Sequence, residues 1–179
     1  YDRYVELTGG RSPNDETLGR QRRPVTDVMW EDAVDYAKWL SHATGKQYRL
    51  PNESEWEYAA GSGGKDTMWA GTSDENQLKD YAVYMVNSKH VEAVGSKKPN
   101  GFGLYDMSGN VWEWCQDVWH DAYKDAPNDG SAWEQGGDSL RRVVRGGSWD
   151  NDPDVCRATF RIRYGAVTQY LDCGLRLAR

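Results

Sequence analysis

The stretch NGFGLYDMSGNVWEW, Asn100–Trp114, decides how the rest of this chain is read. Two tryptophans flank a single glutamate just after a Gly-Asn turn, and in RGGSW at Arg145–Trp149 a glycine pair precedes another tryptophan. Glycines at this density interrupt both the helical and the strand period. The segment therefore predicts a rigid, irregular core stitched together by aromatic rings rather than a regular helix or sheet.

Composition points the same way. The 179 residues include 9 Trp and 11 Tyr but only 2 Phe, so a few large rings must supply much of the buried area. The polar ends of those rings need partners when buried, which suits a loop-rich interior. The length fits one domain, residues 1–179, with a sizeable core. A net charge of −6 argues against a nucleic-acid binder, apart from an arginine-rich C-terminal third. No apolar run approaches a membrane span, and no signal peptide is recognised; a start without Met leaves a lost targeting segment and the localisation open. Cys115, Cys156 and Cys173 form an odd set without metal-type spacing, which reads as buried or incidental thiols.

Along the chain, Pro24–Val28 reads as a short strand and Trp30–Ala43 as a helix, with Ala33, Val34, Ala37 and Leu40 on one face and Gly45 closing it. After Pro51, Asn52 and Glu55 have capping-box spacing for a second helix that buries Trp56 and Ala59-Ala60. Its glutamates, Glu53, Glu55 and Glu57, read as solvated charges rather than acid/base catalysts. Gly61–Lys79 and Asp121–Ser139 read as polar loops. Short strands are expected over Tyr81–Val86, Val91–Gly95, Leu104–Met107, Val111–Cys115, Arg142–Arg145, Cys156–Arg163 and Gly174–Leu177. Two early helices and late, irregular β make an α+β domain. No Ser-His-Asp or phosphate-cradling motif occurs, and His42, His90 and His120 are scattered.

Five segments, in order, resemble the formylglycine-generating-enzyme (sulfatase-modifying factor) family: Arg23–Leu40, GKQYRLPNESEWEYAA at Gly45–Ala60, Asn100–Trp114, RVVRGGSW at Arg142–Trp149, and the closing set Cys156-Arg157, Arg161, Arg163 and Gly174-Leu175-Arg176-Leu177. The resemblance implies a C-type-lectin-like fold rich in long loops. It also implies a division of function, because family oxidases carry two copper-binding cysteines just after the R-G-G-S-[YW] element. Here Ser148–Val155 contains none, which leaves only a Cys156–Cys173 pair as a copper candidate. Nothing matches the His-rich iron site of the sulfoxide synthases.

The chain is most similar to the family's second branch, the variable proteins of diversity-generating retroelements, whose last segment is rewritten to create binding specificities. Framework positions Gly146, Gly147, Ser148, Arg157, Arg161, Arg163, Gly174, Arg176 and Leu177 are kept, while the residues between them depart from the Asn-rich template. The resemblance thus implies a non-enzymatic binding protein with a variable segment over residues 149–173. Its expected ligand-binding residues are Trp149, Asp150, Asn151, Phe160, Ile162, Tyr164, Ala166, Val167, Thr168, Tyr170, Leu171 and Asp172. The expected ligand is a protein or cell-surface group, with no nucleic acid and no membrane insertion. The alternatives are a metal-dependent oxidase or sulfoxide-synthase relative, or a sensor or accessory domain of a larger chain.

Strand alternation over Arg157–Arg163 admits two orientations. In one, the arginines turn inward and pair with Glu113, Asp106 or Asp117, leaving Phe160, Ile162 and Tyr164 outside as a partner surface. In the other, the apolar residues are core. The resemblance favours the first, on which Tyr164→Ala and Tyr170→Ala would abolish binding and leave stability nearly intact. No cofactor is required. Asn110 and Glu113 offer oxygen ligands for calcium, set against a plainer role in which Asn110 makes a turn and Glu113 pairs an arginine.

Overall fold

Helix α2, Trp30–Thr44, starts where the Asp32 carboxylate accepts the Met29 N–H and ends at Gly45 in the left-handed conformation. Its neighbour α3, Glu53–Ala60, carries the expected capping box: Asn52 Oδ1 accepts the Glu55 N–H at 2.8 Å, and Glu55 accepts the Asn52 N–H at 3.0 Å. A computed structural model describes residues 1–14, 19–65 and 67–179. Two helices are additions to the sequence reading. One is α1, Asp2–Thr8, held to α2 by the ring cluster of Tyr1, Tyr4, Tyr36 and Trp39. The other is α4, Glu75–Tyr81, capped by Asp74, which takes the end of the stretch read as loop and the first residue read as strand.

The described residues form four strands, β1 Trp112–Trp119, β2 Asp138–Arg145, β3 Arg161–Gly165 and β4 Cys173–Gly174, in the order β3-β2-β1-β4. Within this sheet β1 and β4 pair in parallel and the other neighbours antiparallel. Alternation along β1 places Trp112 and Trp114 in one core cluster, with Val28, Leu50 and Val144. Cys115 enters a second cluster on the other side, with Trp56, Met107 and Val143. A third cluster gathers Trp69, Leu78, Ala82, Tyr84 and Cys156.

The strands expected at Pro24–Val28, Tyr81–Val86, Val91–Gly95 and Leu104–Met107 are absent, and Cys156–Phe160 is turn rather than strand. The backbone of the central motif explains part of this. Asp106 and Asn110 have φ of 58° and 68°, and Gly109 has 74°, so the chain reverses hand too often to hold a ladder. A Cβ on Gly109 would lie 2.1 Å from the Val83 carbonyl oxygen, so that turn needs glycine. Asn100 takes over the end of α3: its Nδ2 donates to the Ala59 carbonyl at 2.7 Å while its Oδ1 accepts the N–H groups of Phe102 and Leu104. The motif thus works as an irregular brace between α3 and the sheet.

Buried rings find the polar partners their chemistry demands. Trp114 Nε1 donates to the Val28 carbonyl at 3.1 Å, Trp30 Nε1 to that of Cys115 at 2.8 Å, and Trp56 Nε1 to Glu113 at 2.7 Å. Arg145 and Arg161 lie directly opposite each other across β2 and β3. Two like charges in that position repel, and Glu53 from α3 resolves the conflict by accepting from both, at 2.7 Å each. Glu53 is therefore a buried structural anion, correcting the expectation of a solvated helix charge.

Candidate functional site

The C-terminal segment begins with a loop whose shape is set by two glycines. A Cβ on Gly147 would meet Cys156 Sγ at 2.8 Å, and one on Gly146 would crowd Trp56 at 3.1 Å; both have positive φ. Asn151 then closes the loop, its Oδ1 accepting from the Ser148 N–H at 2.8 Å and the Ser148 hydroxyl at 3.0 Å. The Trp149 N–H donates to the Asn110 carbonyl, which ties this loop to the central motif. Asp150 is exposed, and Trp149 and Asn151 are half-buried.

β3 and the turn after it complete the surface. The orientation expected for the apolar residues is reversed: Ile162 and Tyr164 of β3, with Phe160 before the strand and Tyr170 beyond it, are half-buried and pack against the cluster of Trp112 and Trp114. Tyr164 stacks on Tyr170 with ring centroids 3.8 Å apart and meets Trp114 edge-on at 6.1 Å. Arg161 turns to the opposite side, where it binds Glu53 and lies over the Trp119 and Tyr123 rings. Arg163 is exposed and pairs with Asp121 at 2.8 Å. Both faces of β3 are therefore covered in part, and the arginine partners are Glu53 and Asp121 rather than Asp106 or Asp117. Among the three expected acids only Glu113 pairs an arginine, Arg176, at 2.8 Å.

What the segment leaves exposed is the turn. Val167 is 76% exposed and Leu171 42%, with Thr168 exposed between them and Ala166 half-buried. Leu140, also 76% exposed, joins this ridge because its carbonyl accepts the Ala166 N–H at 2.9 Å. Sequence reading missed Leu140; its only signal was a leucine inside a charged stretch.

Asp172 links the two halves of the surface. It accepts from the Tyr164 hydroxyl at 3.2 Å and from Ser148 at 3.4 Å, and burial raises its carboxyl above the ordinary range. Because the folded-state pKa is raised, the stability from this group is fully present below the unfolded pKa and is lost as pH rises through the folded value. Asp172→Asn should therefore raise the melting temperature at pH 7 and leave it unchanged near pH 3. A melting pair at those two pH values tests this, and a loss of stability at pH 7 would contradict it.

Cys115, Cys156 and Cys173 are all buried and belong to three different core clusters. Burial pushes the Cys156 thiol up to about 12 and raises the other two as well. A soft thiolate pair for copper is not what these residues form, so the Cys156–Cys173 candidate is set aside. The calcium pair does not fit either. The Asn110 amide is spent on Glu92, accepting its N–H at 3.0 Å and donating to its carbonyl at 3.3 Å. Glu113 is 6% exposed at its side chain, and both of its oxygens accept from Arg176, so a metal would have to displace the guanidinium. Among the described residues, no group of three or more His, Cys, Asp or Glu is placed to hold a metal ion, and no helix is long and apolar enough to cross a membrane.

Comparisons with known proteins show what the chain is similar to. The chain is 35% identical to the serine/threonine-protein kinase pkn1 of Chlamydia pneumoniae, over 90% of this chain and 25% of the kinase. It is 34% identical to the formylglycine-generating enzyme of Streptomyces coelicolor, over 87% of this chain and 49% of that enzyme. The chain thus spans about a quarter of the kinase and half of the enzyme. Among solved structures, PvdO from Pseudomonas aeruginosa superposes with a TM-score of 0.87 at 32% identity, covering 98% of this chain and 74% of PvdO. Variable protein 1 of Treponema denticola gives 0.78 at 30% identity, covering 97% and 79%. The family model for the sulfatase-modifying factor enzyme 1-like domain matches residues 3–179, and the chain belongs to that family, on a C-type-lectin-like fold.

Proposed function

We propose that this chain is a non-enzymatic ligand-binding domain whose turn after β3 displays a diversified surface. One observation carries this reading. The turn is pinned by main-chain hydrogen bonds: Trp30 N–H to the Ala166 carbonyl at 3.1 Å, Asp27 N–H to that of Tyr170 at 3.0 Å, and Trp112 N–H to that of Asp172 at 2.8 Å. Bonds made by the backbone survive a change of side chain, so Val167, Thr168 and Leu171 can vary without altering the loop's path. A fixed path with free side chains is the physical requirement of a surface that is rewritten to bind different partners.

The likeness to the Treponema variable protein supports the same reading. Contacts would come from Trp149, Asp150, Ala166, Val167, Thr168 and Leu171, flanked by the half-buried rings of Phe160, Tyr164 and Tyr170, with a protein or cell-surface group as ligand. The role also suits a domain joined to a larger chain, as the quarter-length match to the Chlamydia kinase illustrates.

Sequencing the 3′ end of this gene across sibling copies from one population tests the proposal. Variation confined to codons 149–173 and concentrated at adenines is the expected result. An invariant 3′ end would overturn it and favour a fixed function for this segment.

A further inference from the structure

A cleft lies apart from the turn after β3. Helix α3 lines a cleft of about 540 Å³ with Glu53, Glu57 and Tyr58, and the segment carrying Tyr123 and Trp133 forms the facing wall. Glu53 and Glu57, four residues apart, share one side of the helix.

The donors and acceptors in this cleft are unevenly satisfied. Glu53 is saturated by Arg145, Arg161 and the Tyr123 hydroxyl. Each Asp117 oxygen accepts one backbone N–H, from Glu53 and from Trp133. Glu57 differs: its Oε2 accepts from Arg145, its Oε1 has no donor among the described residues, and its side chain is 44% exposed. Glu57, with one carboxylate oxygen open, thus lines the same cleft as the rings of Tyr58, Tyr123 and Trp133. Tyr58 is 60% exposed, and Trp133 lines the cleft while His120 stacks on its ring at 3.5 Å. Aromatic faces attract cations, and the fold already uses that attraction, with Arg161 over Tyr123 at 4.6 Å and Arg142 over Trp30 at 3.8 Å. A net charge of −6 steers cations towards the surface.

We infer that this cleft binds an organic cation of the lysine or arginine type, with Glu57 Oε1 as its counter-ion and Tyr58 and Trp133 as its aromatic walls. The cation is either a free amino compound or a basic side chain displayed on a peptide; both present the same group to the same residues. Lys65, exposed at the mouth, opposes the cation and limits its affinity.

Titration of the 15N-labelled chain with Nα-acetyl-arginine amide, Nα-acetyl-lysine amide, the neutral Nα-acetyl-norleucine amide and the capped peptide Gly-Gly-Arg-Gly-Gly tests this. Saturable shifts confined to Glu57, Tyr58 and the Trp133 indole are expected with the cationic probes and not with norleucine. Equal affinity for amide and peptide would mark a free amino compound as sufficient, whereas binding of the peptide alone would mark a displayed side chain. Glu57→Gln should weaken binding about tenfold, Tyr58→Ala should weaken it without disturbing the fold, and Lys65→Ala should not weaken it. Shifts with norleucine equal to those with arginine, no shifts with any cationic probe, or a loss of binding in Lys65→Ala would each overturn the assignment.

Discussion

Arg145→Leu should cost about 3–5 kcal/mol of folding stability, the range for removing one partner of a buried ion pair. Arg145 is 0% exposed, and its guanidinium donates to Glu53 at 2.7 Å, to Glu57, and to the Ala158 carbonyl at 2.7 Å. Leucine fills part of the volume but supplies none of those donors. Glu57 can turn to water; Glu53 and the Ala158 carbonyl cannot, and burial of unpaired polar groups is what makes the change expensive. Glu53 still keeps Arg161, so the site loses a member without losing all its charge balance. Against a total stability of about 5–15 kcal/mol for a domain of this kind, the loss is a large fraction. A urea titration reads it as a lowered midpoint with an unchanged slope. Arg145→Lys should fall well short of restoring the native midpoint, because acceptors on three separate residues call for a planar fork rather than a point charge. A loss below about 1 kcal/mol for Arg145→Leu would show that the cluster is not a structural centre.

The same cluster shows what the sequence could and could not disclose. Helices α2 and α3 were legible because their signals are local: a 3.6-residue apolar stripe, the Asn52–Glu55 box, and Gly45 at the stop. The fold class was legible through the order of the motifs. The partner of Arg161 was not, because Glu53 lies 108 positions away and reaches it only once α3 has docked on the sheet. The strand assignments before residue 111 failed for a related reason. Short apolar runs such as Tyr81–Val86 resemble strands by composition, yet Val83 makes only a single bridge, to Gly109, and α4 claims Tyr81. Within the site, Val167, Thr168 and Leu171, expected as binding residues, are exposed, while Tyr164 and Tyr170, expected outside, are half-buried. Strand alternation gives two faces and no sign; contact with Trp112 and Trp114, distant in sequence, decides which face is inside.

That reversal leads to the second large effect. Tyr164→Ala should destabilise the fold by about 2–4 kcal/mol, somewhat less than loss of a fully buried aromatic because the ring is half-buried. The substitution removes the stack on Tyr170 at 3.8 Å and the edge contacts with Trp112 and Trp114, where each aromatic pair contributes about 0.5–1.5 kcal/mol beyond its area. Tyr164→Phe should cost much less, since it gives up only a 3.2 Å hydrogen bond to Asp172. Paired thermal melts of the two variants separate ring packing from the hydroxyl, and equal losses would show that the hydrogen bond, not the stack, is what matters. The comparison also constrains how the surface can diversify. Thr168 is exposed and its N–H donates to the Gly165 carbonyl, so replacing its side chain should stay within about 0.5 kcal/mol. A rewriting process that samples both positions freely would lose most of its variants at 164 and few at 168. Sibling copies should therefore keep an aromatic ring at position 164 while positions 167, 168 and 171 roam, and a freely varying position 164 in folded siblings would show that the stack is dispensable.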